Sequence, residues 1–128
     1  MKTAAILVVD DEPSMLEILV EWLVRGEYAN VRSAGDGQEA LEMCCADSYE
    51  LVISDINMPR MDGITLLRNL RELGHRMPAI VFVSGLDSVN RKELLDLGAS
   101  AFLLKPFRRQ ELLVAVEDAL RGRGYGAE

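Results

Sequence analysis

The sequence predicts an α/β domain of three layers, in which a doubly wound, flavodoxin-like parallel sheet of five strands lies between helices. Short apolar runs rich in β-branched residues alternate five times with stretches of helical periodicity. The runs are apolar on both faces, as expected for strands covered by helices on both sides. Right-handed crossovers then favour an open sheet, for which we choose the order 2-1-3-4-5. In that order a ligand site is expected beside the carboxyl ends of the first and third strands.

The elements follow from these patterns in chain order. The predicted strands span residues 4–9, 30–34, 51–54, 79–83 and 101–104. The predicted helices span residues 13–25, 63–73, 88–97 and 108–120, and a further helix begins after Asp36. Each helix is expected to turn an apolar face to the sheet. The residues predicted to face inward are Met15, Leu16, Leu19, Trp22, Leu23, Ala40, Leu41, Cys44, Cys45, Leu66, Leu67, Leu70, Leu73, Leu112, Leu113, Val116 and Leu120.

Local residues mark the helix ends. Pro13 suits the first turn of the first helix, because its missing N–H costs nothing there. Asp36 and Glu39 stand three residues apart and predict the cap of the second helix. Gly74 and Gly98 are the predicted stops of the third and fourth helices.

Size and charge narrow the class of protein. The 128 residues fit one domain, which we expect to span residues 1–121, with the glycine-rich residues 122–128 as a tail or the start of a linker. Apolar residues make up 49% and charged residues 27%, as in ordinary globular proteins, and no apolar run is long enough to span a membrane. The net charge of −7 argues against nucleic acid as the main partner and is consistent either with the binding of cations or with solubility alone.

Three further residues exclude other kinds of site. Cys44 and Cys45 are adjacent, which is not the spacing of a zinc or redox motif, so both are expected to be reduced. The single His75 has no second histidine with which to bind a metal. The apolar N-terminus is interrupted at Asp10 before any small-residue cleavage site, which favours a cytoplasmic protein.

Polar residues follow four of the predicted strands at their carboxyl ends. Each has an ordinary explanation as a turn former. Their convergence on one edge, beside the point where the strand order reverses, instead indicates a binding site. The polar residues are Asp10, Asp11, Asp55, Ser84 and Lys105, and Gly85 and Pro106 follow the last two.

This set suits phosphoryl transfer. Three carboxylates close together repel one another, and a hard divalent cation such as Mg²⁺ removes that conflict while keeping positions open for phosphate oxygens. Phosphoryl transfer needs mainly positioning and charge stabilisation. Lys105 and Ser84 can contact phosphoryl oxygens, and an aspartate nucleophile can form an acyl phosphate.

These motifs resemble the response-regulator receiver domain of two-component signalling, in the manner of the chemotaxis regulators. The most specific part is the run DINMPRMDG from Asp55 to Gly63, and the resemblance covers roughly residues 4–120. The pair Asp10-Asp11 and the run Lys105-Pro106-Phe107 also match the family, although either motif alone would be weak evidence.

The resemblance implies a role for each matching residue. Asp55 would be the phosphoacceptor, and Lys105 would contact the phosphoryl group from a cis Lys105-Pro106 bond. Ser84 would be the switch hydroxyl and Phe102 the aromatic switch residue. A Mg²⁺ ion, with Mn²⁺ as the alternative, would be bound by Asp10, Asp11, Asp55 and the backbone carbonyl of Asn57. The supporting residues would be Met58, Pro59, Asp62, Gly63, Gly85 and Pro106.

A switch and its partners are also implied. A sensor histidine kinase or a phosphotransfer protein would supply the phosphoryl group. Ser84 would then move toward it and Phe102 would turn inward, which changes the surface of helix 4, strand 5 and helix 5. An output domain or effector protein would read that surface, and a phosphorylation-dependent homodimer is compatible with it. Neither nucleic acid nor a membrane is an expected direct partner. The chain is not expected to be an enzyme beyond Mg²⁺-dependent self-phosphorylation and slow autodephosphorylation.

One stretch of the sequence departs from the family pattern, and two other positions bear on the rate of autodephosphorylation. No acidic pair precedes Phe102, which puts in doubt the dimer salt bridges typical of receivers with winged-helix output domains. Asn57 and Leu86 occupy positions that tune autodephosphorylation in the family.

Two other functions are compatible with this fold class. A phosphohydrolase with an aspartyl-phosphate intermediate commonly carries a second acid two residues after the nucleophile, where this chain has Asn57. A flavin-binding electron carrier shares the fold. It would offer a Ser/Thr/Gly-rich phosphate loop where this chain has Asp10, Asp11 and Glu12.

Overall fold

The computed structural model of the chain describes residues 2–85 and 91–122. Its strands are β1 (Lys2–Val9), β2 (Tyr28–Ala34), β3 (Leu51–Asp55), β4 (Ala79–Ser84) and β5 (Ala101–Leu104). Its α-helices are α1 (Pro13–Arg25), α2 (Gly37–Ala46), α3 (Gly63–Leu70), α4 (Arg91–Leu97) and α5 (Arg109–Gly122), and a 3-10 helix (Arg71–Arg76) follows α3.

The five strands form one sheet in the order β2-β1-β3-β4-β5, and every neighbouring pair is parallel. The predicted fold class and strand order are therefore confirmed. The register pairs Val9 with both Ala34 and Ser54, and Asp55 with Val83. The carboxyl ends of the strands consequently meet at one edge, as the prediction of the site requires.

Alternate residues of the strands supply two apolar cores, one on each face of the sheet. Ile6 and Val8 of β1 pack on the side of α1 and α5. Leu7 and Val9 pack on the side of α2, α3 and α4. All four side chains are fully buried, and burial of each contributes roughly 1.5–3 kcal/mol.

The predicted caps and stops have the expected geometry. Oδ1 of Asp36 accepts a hydrogen bond from the N–H of Glu39 at 2.8 Å, and Oε1 of Glu39 accepts one from the N–H of Gly35 at 2.8 Å. Gly74 and Gly98 adopt φ values of +62° and +115°, in the range that favours glycine. Gly98 directly follows α4, whereas Gly74 interrupts the 3-10 helix with a non-helical backbone conformation.

Two details of the helix predictions are wrong. The α-helix α3 ends at Leu70 rather than at residue 73, because the chain tightens into a 3-10 helix before the turn at Gly74. Cys45 is exposed, whereas Cys44 is buried. Adjacent positions on a helix are about 100° apart, and on α2 this rotation places Cys45 outside the buried face that holds Ala40 and Cys44. The other residues predicted to face inward are buried or half-buried.

The predicted start of the fourth helix at residue 88, Leu86 and residues 123–128 of the predicted tail lie outside the described residues. Gly122, predicted to begin the tail, is instead the last residue of α5. Among residues 2–85 and 91–122, no helix combines the length and the apolar composition needed to cross a membrane.

Candidate functional site

The acidic residues predicted to act together meet at the carboxyl edge of the sheet. Asp10 follows β1 and Asp55 ends β3, and these two strands are direct neighbours. Each of Asp10, Asp11 and Asp55 offers a carboxylate oxygen within 4.8 Å of the other two. Asp10 is 0% exposed and Asp55 is 8% exposed, whereas Asp11 is exposed. The cluster therefore has a buried base and one side open to solvent.

Lys105 adds a cation to this cluster. Its Nζ lies 3.6 Å from Oδ2 of Asp10 and 3.6 Å from Oδ2 of Asp55, and its side chain is 18% exposed. The N–H of Lys105 donates to the carbonyl oxygen of Ser84 at 2.7 Å, which fixes the chain where it leaves β5. The Lys105-Pro106 peptide bond is cis, as predicted.

The position of Asp10 makes the charged form of its carboxyl unfavourable. Burial raises the pKa of the Asp10 carboxyl, against the effects of the Glu12 N–H and the Lys105 ammonium, which lower it. Oδ1 of Asp10 accepts a hydrogen bond from the N–H of Glu12 at 2.9 Å. Within the described part of the chain, the buried Oδ2 has no hydrogen-bond partner. A buried carboxylate oxygen in this condition, beside two further carboxylates, fits a divalent cation.

The backbone around Asp55 holds its carboxylate in one orientation. Oδ1 accepts a hydrogen bond from the N–H of Ile56 at 2.7 Å, and Oδ2 is the oxygen nearest Lys105. Ser54 donates its hydroxyl to the carbonyl oxygen of Asp55 at 2.7 Å. A Cβ at Gly63 would lie 2.5 Å from that same carbonyl oxygen and 2.8 Å from the ring of Phe82. Only glycine therefore fits at position 63.

The loop from Asp55 to α3 carries the other predicted supporting residues. Met58 is buried, whereas Asn57 and Pro59 are exposed. Asp62 caps α3 by accepting a hydrogen bond from the N–H of Thr65 at 2.8 Å. The loop thus leaves Asn57 on the open side while Met58 anchors it to the core.

The predicted switch residues lie on the strands beyond Asp55. Ser84 is buried at the end of β4, one residue after Val83, the partner of Asp55 in the sheet. Phe102 is half-buried in β5, and the guanidinium of Arg91 lies 5.4 Å from the centre of its ring. Gly85 is exposed and directly follows β4.

One contact at this edge was not predicted from the sequence. The guanidinium of Arg60, in the loop after Asp55, pairs with Oδ2 of Asp36 at the start of α2. The N–H of Glu39 and the guanidinium of Arg60 together lower the pKa of Asp36. The local spacing that identified Asp36 as a cap carries no information about a partner 24 residues away.

Comparison with protein families gives one match across most of the chain. A family model described as the response regulator receiver domain matches residues 6–117. Relatives named response regulator MprA are 40% identical in Mycolicibacterium vanbaalenii and 41% identical in Mycobacterium ulcerans, in each case over 117 residues. These alignments cover 91% of this chain and 50% of each relative, so the chain spans about half the length of the curated relatives it matches.

Solved structures of similar proteins share the fold. The chemotaxis response regulator CheY4 of Vibrio cholerae has 29% sequence identity and a TM-score of 0.82, over 92% of this chain and 99% of that chain. The response regulator TrrA of Thermotoga maritima, in complex with Mg²⁺-BeF, has 32% identity and a TM-score of 0.81, over 91% of this chain and 99% of that chain.

Proposed function

The chain belongs to the family of response regulator receiver domains and is the receiver domain of a two-component response regulator; on this premise we propose that Asp55 is its phosphoacceptor. The placement of Asp55 is the observation that carries the proposal. Its Oδ2 lies 3.6 Å from the Lys105 ammonium, and its carboxylate lies within 4.8 Å of those of Asp10 and Asp11. A nucleophile in this position has charge stabilisation beside it.

In the proposed reaction, Oδ2 of Asp55 attacks the phosphorus of a phosphohistidine on a partner protein. The P–O bond to Asp55 forms as the P–N bond to the histidine breaks, and the released imidazole nitrogen takes a proton from solvent. Lys105 offsets the negative charge of the phosphoryl oxygens. The hydrogen bond from the N–H of Ile56 to Oδ1 keeps the carboxylate oriented for attack.

We propose that Asp10, Asp11, Asp55 and the backbone carbonyl of Asn57 bind Mg²⁺, with Mn²⁺ as the alternative. When bound, the cation would offset the charges of the carboxylates and of the incoming phosphoryl group. The buried Oδ2 of Asp10, which accepts no hydrogen bond from the described residues, supports this assignment. The similar TrrA domain, which was solved with Mg²⁺-BeF, is consistent with it.

The proposed chemistry is limited to self-phosphorylation and slow autodephosphorylation. Two residues after Asp55, where a phosphohydrolase commonly has an acid, this chain has the exposed amide of Asn57. An amide cannot act as a general acid or base. The family match likewise favours the receiver over a flavin carrier.

We propose that phosphorylation changes the surface formed by α4, β5 and α5, through Ser84 and Phe102. Three large apolar residues are exposed on these elements: Leu95, Leu104 and Val114. Each of these side chains is available for contact with a partner. A small shift of Phe102 within β5 would alter the same surface.

The proposed partners follow from this role. A sensor histidine kinase or phosphotransfer protein would donate the phosphoryl group, and an output domain or effector protein would read the α4-β5-α5 surface. That surface could also form a homodimer after phosphorylation. A cytoplasmic location is proposed because Cys44 and Cys45 are both free thiols.

Nuclear magnetic resonance with a phosphoryl mimic tests this function. Mg²⁺ with beryllofluoride is expected to shift the amide signals of Asp55 and Lys105, and then those of Phe102 and Leu104. Asp55→Asn should remove all of these shifts. Shifts confined to the acidic cluster would contradict the proposed switch, and the absence of any shift in the wild type would contradict the proposed site.

A further inference from the structure

The junction between β2 and α2 contacts both loops that carry the proposed metal ligands. On one side, the N–H of Asp10 donates to the carbonyl oxygen of Ala34 at 3.2 Å. On the other side, Oδ2 of Asp36 pairs with the guanidinium of Arg60. Asn57, whose backbone carbonyl is a proposed ligand, lies three residues before Arg60 in the same loop. One short segment therefore joins the two halves of the site.

The backbone beside Arg60 is also pressed against the start of α2. A Cβ at Gly37 would lie 3.0 Å from Cβ of Met61 and would overlap the carbonyl group of Met61. The N–H of Met61 donates to the carbonyl oxygen of Pro59 at 2.7 Å, which tightens the loop at this point. Arg60 itself has a φ of +69°, a conformation that residues with a Cβ adopt only when their surroundings require it.

Asp36 is a rigid anchor for this loop. Its side chain is 11% exposed, whereas that of Arg60 is 69% exposed. Oδ1 of Asp36 is already held by the N–H of Glu39, so Oδ2 is presented to Arg60 from a fixed position. An ion pair with one exposed partner contributes little to global stability. Its effect is expected mainly in the geometry of the loop.

We propose that Asp36 and Arg60 are positioning residues that set the affinity of the site for a divalent cation, although neither is among the proposed ligands. The inference rests on the proposed function, because it needs the backbone carbonyl of Asn57 to bind the metal. Breaking the pair removes one restraint on the loop that carries Asn57, while Asp10, Asp11 and Asp55 keep their places at the strand ends. Removing a group that orients a metal ligand commonly lowers the affinity for the metal by about tenfold.

The test is a titration of Mg²⁺ into the full chain by calorimetry, with thermal unfolding measured in the absence of Mg²⁺. The variants are Arg60→Gln, Asp36→Asn, their double variant, and Arg60→Lys, which keeps a cation able to reach Oδ2. Arg60→Gly can keep the positive φ without strain, so it distinguishes the effect of losing the side chain from the effect of a change in the backbone. Arg32→Gln is the matched control, because it breaks another exposed ion pair, to Asp47 at 3.2 Å, that lies outside the loop after Asp55.

The expected result is a loss of about tenfold in Mg²⁺ affinity for Arg60→Gln, Arg60→Gly and Asp36→Asn. The double variant should lose no more than either single variant, since both remove the same contact. Arg60→Lys should recover most of the affinity, and Arg32→Gln should bind as the wild type does.

Three results would overturn the inference. If the wild type binds Mg²⁺ and Arg60→Gln binds it equally well, Asp36 and Arg60 do not position the site. The same conclusion follows if Arg32→Gln also loses Mg²⁺ affinity and if, across the variants, the loss of affinity is proportional to the fall in Tm. If the wild type itself does not bind Mg²⁺, the proposed metal site is wrong and the inference fails with it.

Discussion

The ammonium group of Lys105 lies 3.6 Å from Oδ2 of Asp55, although Asp55 ends β3 and Lys105 follows β5, two strands that are separated in the sheet by β4. The same Nζ is equally close to Oδ2 of Asp10. Lys105 therefore occupies the position from which one cation can act on a phosphoryl group at Asp55. In the absence of a phosphoryl group, it offsets part of the charge of two buried carboxylates.

Replacing Lys105 by Met is expected to separate phosphorylation from metal binding. Loss of the ammonium should slow phosphorylation by acetyl phosphate by about 100-fold, the typical effect of removing a group that stabilises developing charge. Mg²⁺ affinity should be retained or increased, because a competing cation has been removed. The rate is measured by stopping the reaction at intervals and determining the intact mass of the protein. The Mg²⁺ affinity is measured by a parallel titration. A fall in Mg²⁺ affinity together with an unchanged rate would contradict the role given to Lys105.

Replacing Asp10 by Asn is expected to have opposite effects on stability and on metal binding. Burial raises the pKa of Asp10 in the folded protein, so the charged form destabilises the fold at neutral pH, and this penalty disappears as the pH falls below the pKa of the unfolded chain. Without metal, the free energy of unfolding of Asp10→Asn at pH 7 should therefore exceed that of the wild type by on the order of 1 kcal/mol. Thermal unfolding should also show that Mg²⁺ stabilises the wild type and not the variant. Equal stabilisation of both would exclude Asp10 as a ligand.

Replacing Phe102 by Ala tests the transmission of the signal. The side chain is half-buried in β5 and is not among the groups around Asp55, so the rate of phosphorylation should stay within about twofold, as for a substitution away from the reacting groups. The beryllofluoride-dependent shifts in β5 and α5 should be lost. The control is Arg91→Gln, which removes the cation over the ring and leaves the aromatic side chain in place. Full retention of the shifts in Phe102→Ala would show that the aromatic ring does not transmit the switch.

The two adjacent cysteines are expected to differ sharply in reactivity. Burial raises the pKa of the Cys44 thiol to about 11, whereas Cys45 is exposed. Because the thiolate is the reactive form, a thiol reagent at pH 8 should modify one cysteine in the native chain and both after unfolding. Cys45→Ser should abolish the native reaction, and Cys44→Ser should leave it intact. Rapid modification of Cys44 in the native chain would mean that α2 opens readily.

The sequence predicted most of the site because its residues lie at the ends of strands. Once the strand order is known, the parallel register brings Asp10 and Asp55 to one edge, and the specific run after Asp55 identifies the chemistry. The C-terminal end of α3 and the orientation of Cys45 were predicted less well, because they depend on how the helices meet the sheet.

The pairing of Asp36 with Arg60 could not be predicted in the same way. Asp36 has a sufficient local explanation as a helix cap, and the sequence around Arg60 gives no sign of its positive φ. Only the packing of α2 against the loop after Asp55 brings the two side chains together.

The most direct test of the central claim is intact mass spectrometry after incubation with acetyl phosphate, with and without Mg²⁺. The wild type should gain the mass of one phosphoryl group only when Mg²⁺ is present, and the adduct should be labile, as an acyl phosphate is. Asp55→Asn should gain none, while Asp118→Asn, which removes an exposed carboxylate on α5, should behave as the wild type does. An adduct that persists in Asp55→Asn, or a wild type that gains no mass with Mg²⁺, would contradict the assignment of Asp55 as the phosphoacceptor.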